Sequence, residues 1–359
     1  MNRLKWASDR RSGKMPLMKN YLPPEWAPQS AVMLTWPHQH GHWKPYFPAV
    51  DIAFTEIARQ TALYEFVLIA YYEPAHRDHI KSLLEAAQAD LKQIHFFEAK
   101  SNDLWVRDHG PISILRDGKP VLLDFDFNAW GGKYSFEYDN TLTRTLHAQH
   151  AFPKSSIERV PFVLEGGGIE VDGKGTLLTT DSVMLAATRN QTTREDVVRL
   201  LKKMCGIDRV LWLQHGHLVG DDTDGHIDTL VRFVDPYTLC YVACDDKTDE
   251  HYQALKLMEA ELQAFRNFEG EPYRLIPLPM PEAQYSPKGQ RLPATYANFL
   301  IINGAILMPI YGTPQDILAE KILATCFPDR QIISINCRVL INIYGSLHCA
   351  TMQLPQGMI

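Results

Sequence analysis

Cys349 stands in the stretch Asn342-Ile343-Tyr344-Gly345-Ser346-Leu347-His348-Cys349-Ala350-Thr351-Met352-Gln353, between a Gly-Ser turn signal and a segment that reads as a strand. Three upstream stretches carry side chains that could act with it. They are Trp105-Val106-Arg107-Asp108-His109-Gly110-Pro111, Leu164-Glu165-Gly166-Gly167-Gly168 and Asp221-Asp222-Thr223-Asp224-Gly225-His226-Ile227-Asp228. A lone cysteine is ordinarily a small buried hydrophobe kept for packing. In the company of a His-x-Asp pair and several acidic sites set among turn residues, the expectation changes. The four pieces are expected to meet around the Cys349 sulfur.

If the chain from Ile227 onward is strand, His226 and Asp228 share a face while Ile227 points into the core. A histidine facing a carboxylate is held in one tautomer and can carry a proton in catalysis. Metal binding is the rival use of His226, Asp228, Asp222 and Asp224. Without a second well-spaced histidine the set is weak for zinc, and it lacks the spacing of a calcium loop. The glycines after Glu165 precede Ile-Glu rather than Lys-Ser/Thr, so they form no phosphate loop, and no dinucleotide fingerprint opens a βαβ unit. Glu165 reads as a carboxylate at a tight backbone approach; a plain turn explains the glycines equally well. Several carboxylates beside one cysteine and one histidine suit a cationic substrate, since two carboxylates bind a planar guanidinium through paired charge-assisted hydrogen bonds. Thiolate attack on the guanidinium carbon, loss of ammonia and hydrolysis would be covalent catalysis needing no cofactor and no metal.

The 359 residues are 45% hydrophobic and 22% charged with a formal net charge of -6, which is ordinary for a globular protein and gives no pull toward nucleic acid or anionic membrane. The six cysteines include no CxxC pair, and a reducing cytoplasm is the simpler setting for them. No stretch approaches the roughly 18 apolar residues of a membrane span. Residues 1–20 read as a loosely ordered leader and 21–359 as one catalytic domain.

Helical patterns cover 48–61, 76–91 and 250–265. Another begins after Thr192, with Glu195 completing a capping box, and a last one starts at Pro314. Strand patterns cover 31–36, 66–72, 94–97, 162–171, 210–213, 332–335 and 339–343. Asp117-Gly118, Asp172-Gly173 and Asn303-Gly304 mark hairpins, and a further strand pair spans 229–234 and 239–243. Residues 127–133 and the proline-rich 272–293 read as loops. Two or three short strands fall between successive helices, unlike a doubly wound sheet. An α/β domain of ββαβ-like modules repeated about a central axis fits better, with the loops meeting at the axis.

Taken in order, the motifs resemble the agmatine deiminase family, within the guanidine-modifying superfamily that includes arginine deiminases and bacterial peptidylarginine deiminases. They are Pro24-Glu25-Trp26 with Trp36-Pro37, Asn102-Asp103-Leu104-Trp105-Val106-Arg107-Asp108 with Gly110-Pro111, and Phe127-Asn128-Ala129-Trp130-Gly131-Gly132. Then come Leu164-Glu165-Gly166-Gly167, Gly175-Thr176-Leu177-Leu178-Thr179-Thr180, Asp222-Thr223 with Gly225-His226-Ile227-Asp228, and His348-Cys349. The resemblance implies a five-bladed pentein-type α/β propeller with pseudo-five-fold symmetry. It implies hydrolysis of agmatine to N-carbamoylputrescine and ammonia, in putrescine and polyamine biosynthesis, through a thiouronium intermediate and without metal or cofactor. By motif, Cys349 is the nucleophile and His226 the general acid and base. Asp108 and Asp228 grip the guanidinium, and Glu165 supports the histidine. Trp105 and Trp130 wall the pocket, while Asp222 faces the far end of the substrate. A homo-oligomer is compatible with the resemblance. The chain departs from the family pattern at Asp224 (usually Asn), at His109 (usually Thr), and in Ile343-Tyr344-Gly345-Ser346-Leu347, where the family carries Gly-Gly-Gly-Asn-Ile. Those larger side chains leave room for other readings: a deiminase of arginine, peptidyl arginine or another alkylguanidine, or a guanidinium-binding protein without turnover.

Overall fold

The computed structural model describes residues 20–359 and shows a mixed α/β fold built from five sheets. The expected leader, 1–20, lies outside the described residues apart from Asn20, which belongs to the short strand Asn20–Tyr21. Each sheet uses one plan: an antiparallel pair, then a helix that crosses over to a parallel strand. In one sheet Leu300–Ile302 pairs antiparallel with Ala305–Ile310, and Gln331–Asn336 returns parallel after the helix Gln315–Cys326. Val231–Asp235, Thr238–Ala243 and Arg274–Pro279 repeat this around the helix Tyr252–Ala264. Glu170–Val171, Thr176–Thr180 and Arg209–Leu213 repeat it around Arg194–Cys205. Ile112–Arg116, Lys119–Asp126 and Ser156–Val163 do so around Leu142–Ala148, a helix the sequence pattern did not suggest.

The remaining sheet joins the two ends of the chain. The C-terminal strand Met352–Pro355 pairs antiparallel with Gln29–Thr35, which is followed in parallel by Phe66–Tyr71 and Ile94–Glu98. This pairing fixes the position of Cys349, three residues before the last strand. The helix Ala49–Thr61 lies on this sheet because Val50, Ala53, Phe54, Ile57, Ala58 and Thr61 recur at helical spacing and are all buried. Phe54 and Ile57 are fully buried, each worth roughly 1.5–3 kcal/mol. The hairpin turn Asp117-Gly118 has both residues at positive φ (49° and 77°), the primed geometry that matches the twist of its strands.

Several expectations need correction. The strand expected over 162–171 is broken: Ser156–Val163 ends, the chain turns at Gly166–Gly168, and Glu170–Val171 resumes. Gly166 has no room for a side chain in this turn, since a Cβ would collide with the Arg107 carbonyl. The helix after Thr192 starts one residue later, with Thr193 accepting from the Asp196 amide, so the cap is Thr193/Asp196 rather than Thr192/Glu195. The second helix runs Pro74–Ala86, and Leu91–Gln93 is a separate 3-10 turn. Pro314 is the cap of the last helix rather than its first residue. The proline-rich loop contains the strand Arg274–Pro279, which tolerates Pro277 and Pro279 because it lies at a sheet edge. Within 127–133 lies a helical turn, Ala129–Gly132, in which Trp130 takes φ 56°. Leu340–Ile343 and Ile227–Thr229 are 3-10 turns, not strands. The six cysteines are unpaired. Among the described residues no helix is long and apolar enough to cross a membrane.

Candidate active site

Asp108 sits in the four-residue helical turn Val106–His109 and is buried. The turn is tied to the cysteine segment: the Arg107 amide donates to the Cys349 carbonyl (3.2 Å), and the Arg107 guanidinium donates to the His348 carbonyl and the Gln353 side chain. The Asp108 carboxylate accepts from the Gly167 amide on Oδ1 and from the Trp130 indole on Oδ2, both at 3.0 Å. Burial pushes its carboxyl up to about 6, with neighbouring Asp228 and Glu165 adding to the rise and His226 opposing it. Trp130 therefore does more than wall a pocket, since it also fixes the acid.

His226 is fully buried. Its Nε2 donates to Glu165 Oε2 at 2.8 Å, while Nδ1 lies 3.5 Å from Asp108 Oδ1 and has no hydrogen-bond partner. Burial alone would lower its pKa; the carboxylates of Asp108, Glu165 and Asp228 overcome that and raise it to about 9. The support from Glu165 that the family resemblance implies is thus present, whereas the His226–Asp228 pairing suggested by their spacing is not made. His226 answers to Glu165 and Asp108, whereas Asp228 accepts from His348 Nδ1 at 2.7 Å. Glu165 takes both its oxygens to Arg189 Nε, at 2.8 and 2.9 Å. Burial would raise Glu165, but His226 and Arg189 hold it below the ordinary carboxylate range.

Cys349 is buried, with Sγ 3.6 Å from Asp228 Oδ2 and 3.2 Å from the Asn298 side-chain amide. Burial, then the charges of Asp228 and Asp108, push the thiol well above its ordinary pKa. Burial would likewise raise Asp228, yet the bond from His348 holds it below the usual range. Asp228 Oδ1 is left without a partner. Asp228 Oδ1 and His226 Nδ1 are therefore buried polar atoms still free to take a hydrogen bond. Gly167 is the close approach that His226 Nδ1 faces: a Cβ there would lie 2.5 Å from that nitrogen, 2.8 Å from Asp108 Oδ1 and 3.2 Å from Asp228 Oδ2.

A cavity of about 310 Å³ opens onto this cluster, lined by Cys349, Asp108, Trp105, Trp130, Asp222 and Tyr344 among others. The chain thus brings five expected residues (Cys349, Asp108, Trp105, Trp130 and Asp222) to one wall, with His226, Glu165 and Asp228 buried against it. The Trp105 indole covers Gly345, where a side chain would strike the ring. Asp222 accepts from the Tyr134 hydroxyl at 2.6 Å and pairs with Lys133 at 3.2 Å. Tyr344 is partly exposed at the cavity and carries φ 65°, a left-handed conformation unusual for a bulky residue.

Two of the departures find physical places. Asp224, at φ 68°, pairs with Arg189 (2.7 Å) and Lys133 (3.0 Å), so its charge is used. His109 is a core residue against Phe127, its pKa lowered to about 3 by burial. The metal reading of His226, Asp228, Asp222 and Asp224 is not supported by their partners, which are other side chains. Among the described residues one acidic and histidine cluster is close enough to share an ion: Glu25, Glu170 and His348. Arg232 lies within it, donating to both Glu25 and Glu170. Arg189 and Asn298 were missed in the sequence; each is a single polar residue in an undistinguished run, with no motif to mark it.

Residues 21–355 match the Porphyromonas-type peptidyl-arginine deiminase family. The agmatine deiminase of Stutzerimonas stutzeri is 32% identical, over 93% of this chain and 95% of that protein. A solved putative arginine deiminase from Porphyromonas gingivalis is 48% identical with a TM-score of 0.90, covering 95% of this chain and all of that one (100%). A variant agmatine deiminase of C. jejuni, solved with substrate bound, is 35% identical with a TM-score of 0.87, covering 95% and 97%. On the family match and on relatives that span nearly the whole chain, the protein belongs to the Porphyromonas-type peptidyl-arginine deiminase family.

Proposed function

We propose that the protein is an agmatine deiminase, a hydrolase that converts the guanidinium of agmatine to a ureido group with release of ammonia. The observation that carries this is the Cys349 sulfur, 3.6 Å from Asp228 Oδ2, on a cavity that Asp108 also lines, with Asp228 Oδ1 and His226 Nδ1 left free to bond. A planar guanidinium between Asp108 and Asp228 meets the acceptors, and its central carbon then faces the thiol. A cation about 4 Å from the sulfur, at an effective dielectric near 20, is worth about 4 kcal/mol, roughly a thousandfold toward thiolate. The substrate thereby activates a nucleophile that the empty site keeps protonated.

The sulfur adds to the guanidinium carbon. Protonated His226 gives its proton to one terminal nitrogen, the C–N bond breaks and ammonia leaves a thiouronium on Cys349. Neutral His226 then takes a proton from water as its oxygen adds to the same carbon. The C–S bond breaks, the sulfur regains a proton and the ureido product departs. Glu165, clamped by Arg189, keeps the ring oriented through both steps.

The cavity lining favours an amine tail over a carboxylate. Besides Asp108 it carries Asp103 and Asp222, and no arginine or lysine lines it among the described residues. Lys133, outside the lining, is engaged with Asp222 and Asp224. The 48% identity to a putative arginine deiminase favours a second reading, a substrate with an arginine-type tail. An ammonia-release assay on agmatine, arginine and an arginyl peptide separates them: agmatine is expected to have the highest kcat/KM. Preference for arginine would overturn the substrate, and guanidine binding without ammonia would overturn the enzyme.

We further propose that residues 21–359 form one catalytic domain in which the five sheets are the blades of an α/β propeller, with the cavity on its axis. The repeated strand-strand-helix-strand plan and the pairing of the two chain ends support that arrangement. Unpaired cysteines support a cytoplasmic setting.

A further inference from the structure

We infer that His348 is a positioning residue that aims Asp228 at the substrate, with Glu25 and Arg232 as its anchor. The His348 ring is buried and faces a carboxylate oxygen at each nitrogen. Nδ1 lies 2.7 Å from Asp228 Oδ2, and Nε2 lies 2.7 Å from Glu25 Oε2. Glu25 is fixed in turn: Oε1 accepts from the Ile301 amide at 2.7 Å, and Oε2 from Arg232 Nη2 at 2.7 Å. Arg232 is fully buried and donates to the carbonyls of Ala297 and Phe299 and to Glu170. The His348 amide donates to Asn298 Oδ1 at 2.9 Å, so the backbone beneath the ring is pinned by the residue that also touches the sulfur.

The consequence lies in which oxygen is used. His348 and Cys349 are consecutive, and both address Oδ2 of Asp228. That leaves Oδ1 as the free acceptor. A carboxylate turns readily about its last torsion, whose preference is broad and roughly two-fold. Without a donor on Oδ2 the two oxygens are interchangeable, and the thiol competes with substrate for them. The adjacent Glu25–Glu170–His348 cluster has the donors of an ion site, but the Arg232 guanidinium already supplies its positive charge. The cluster is therefore a brace.

The inference rests on the deiminase reading of the site, and its test separates the two. Asparagine can place an amide N–H near the Nδ1 position, and glutamine one near Nε2. His348→Asn keeps a donor for Asp228 and loses Glu25; His348→Gln does the reverse. His348→Asn is expected to stay within about tenfold of wild type in kcat/KM. His348→Gln is expected to fall by about a hundredfold, the worth of one hydrogen bond to a charged group, shared between a higher KM and a lower kcat. Equal losses in the two variants, tracking their Tm, would overturn the inference, as would a more active His348→Gln. If neither variant folds, 15N-labelled histidine spectra of the wild-type protein decide. A protonated Nδ1 on His348 is expected, and a bare Nδ1 overturns the inference. If wild-type protein releases no ammonia from any guanidine, the deiminase reading fails. The two variants are then compared by calorimetry with guanidinium ion, where the same order of affinity is expected and equal affinities overturn the inference.

Discussion

His226 Nδ1 and Asp108 Oδ1 stand 3.5 Å apart in a buried site, and each side chain holds its proton to higher pH than usual. Asp108 must be ionised to grip a cation, and its carboxyl is pushed up to about 6, so kcat/KM should fall as pH drops through that value. His226 must be protonated to release ammonia, and its pKa is raised to about 9, so activity should fall again above it. That upper fall is expected in kcat, read in the complex where the bound cation has made the thiolate; kcat/KM also carries the raised thiol of the free protein and keeps only the acidic limb. A kcat still rising above pH 10 would remove His226 as the acid.

Replacing Cys349 by serine should abolish turnover while sparing binding. The carboxylates that hold a guanidinium are untouched, so affinity measured by calorimetry should change less than about tenfold, whereas kcat falls by about 10⁴ or more. Residual ammonia release near the wild-type rate would remove the sulfur from the reaction.

Arg189→Met should be costly to both stability and rate. It takes from buried Glu165 one of two cationic partners, His226 remaining, a loss of up to about 3–5 kcal/mol by urea unfolding for breaking a buried pair. Arg189 also helps hold the Glu165 carboxyl low, so without it Glu165 takes up a proton at higher pH. The acidic limb of the kcat/KM profile should then move upward in pH.

Tyr344→Gly should act on selectivity more than on stability. Glycine adopts φ 65° without the roughly 1–2 kcal/mol that a side chain pays there, though it loses more chain entropy, so Tm should move by only about 2 °C. The cavity loses an aromatic wall. KM for agmatine should rise several-fold, by about 1 kcal/mol of lost contact, while an arginyl peptide becomes relatively better. Unchanged discrimination between the two substrates would remove Tyr344 from the specificity of the site.

Much of this was legible in the chain because the acting residues sit among turn signals. Asp108 lies before Gly-Pro, Glu165 before three glycines, and His226 after a glycine. The secondary structure around those residues was the part misread. Patterns at 162–171, 227–228 and 339–343 look extended because they are rich in apolar and β-branched residues, yet each contains a 3-10 turn. The pairing of charges was not legible either. Glu25 meets His348 across 323 positions and Arg232 across 207, and no local rule tells which of several buried carboxylates claims which base. Spacing along the chain ties His226 to its neighbour Asp228; only the family motifs point to Glu165, 61 positions away, which holds it.

Gly167 has a consequence for how this chain can vary. Most crowded glycines abut packing atoms that can shift a little to admit a methyl group, and the damage then shows as lost stability. Here the crowding atoms are a ring nitrogen and two carboxylate oxygens of the reacting set. Gly167→Ala would therefore strike the chemistry directly, by pushing His226 and Asp108 out of their places.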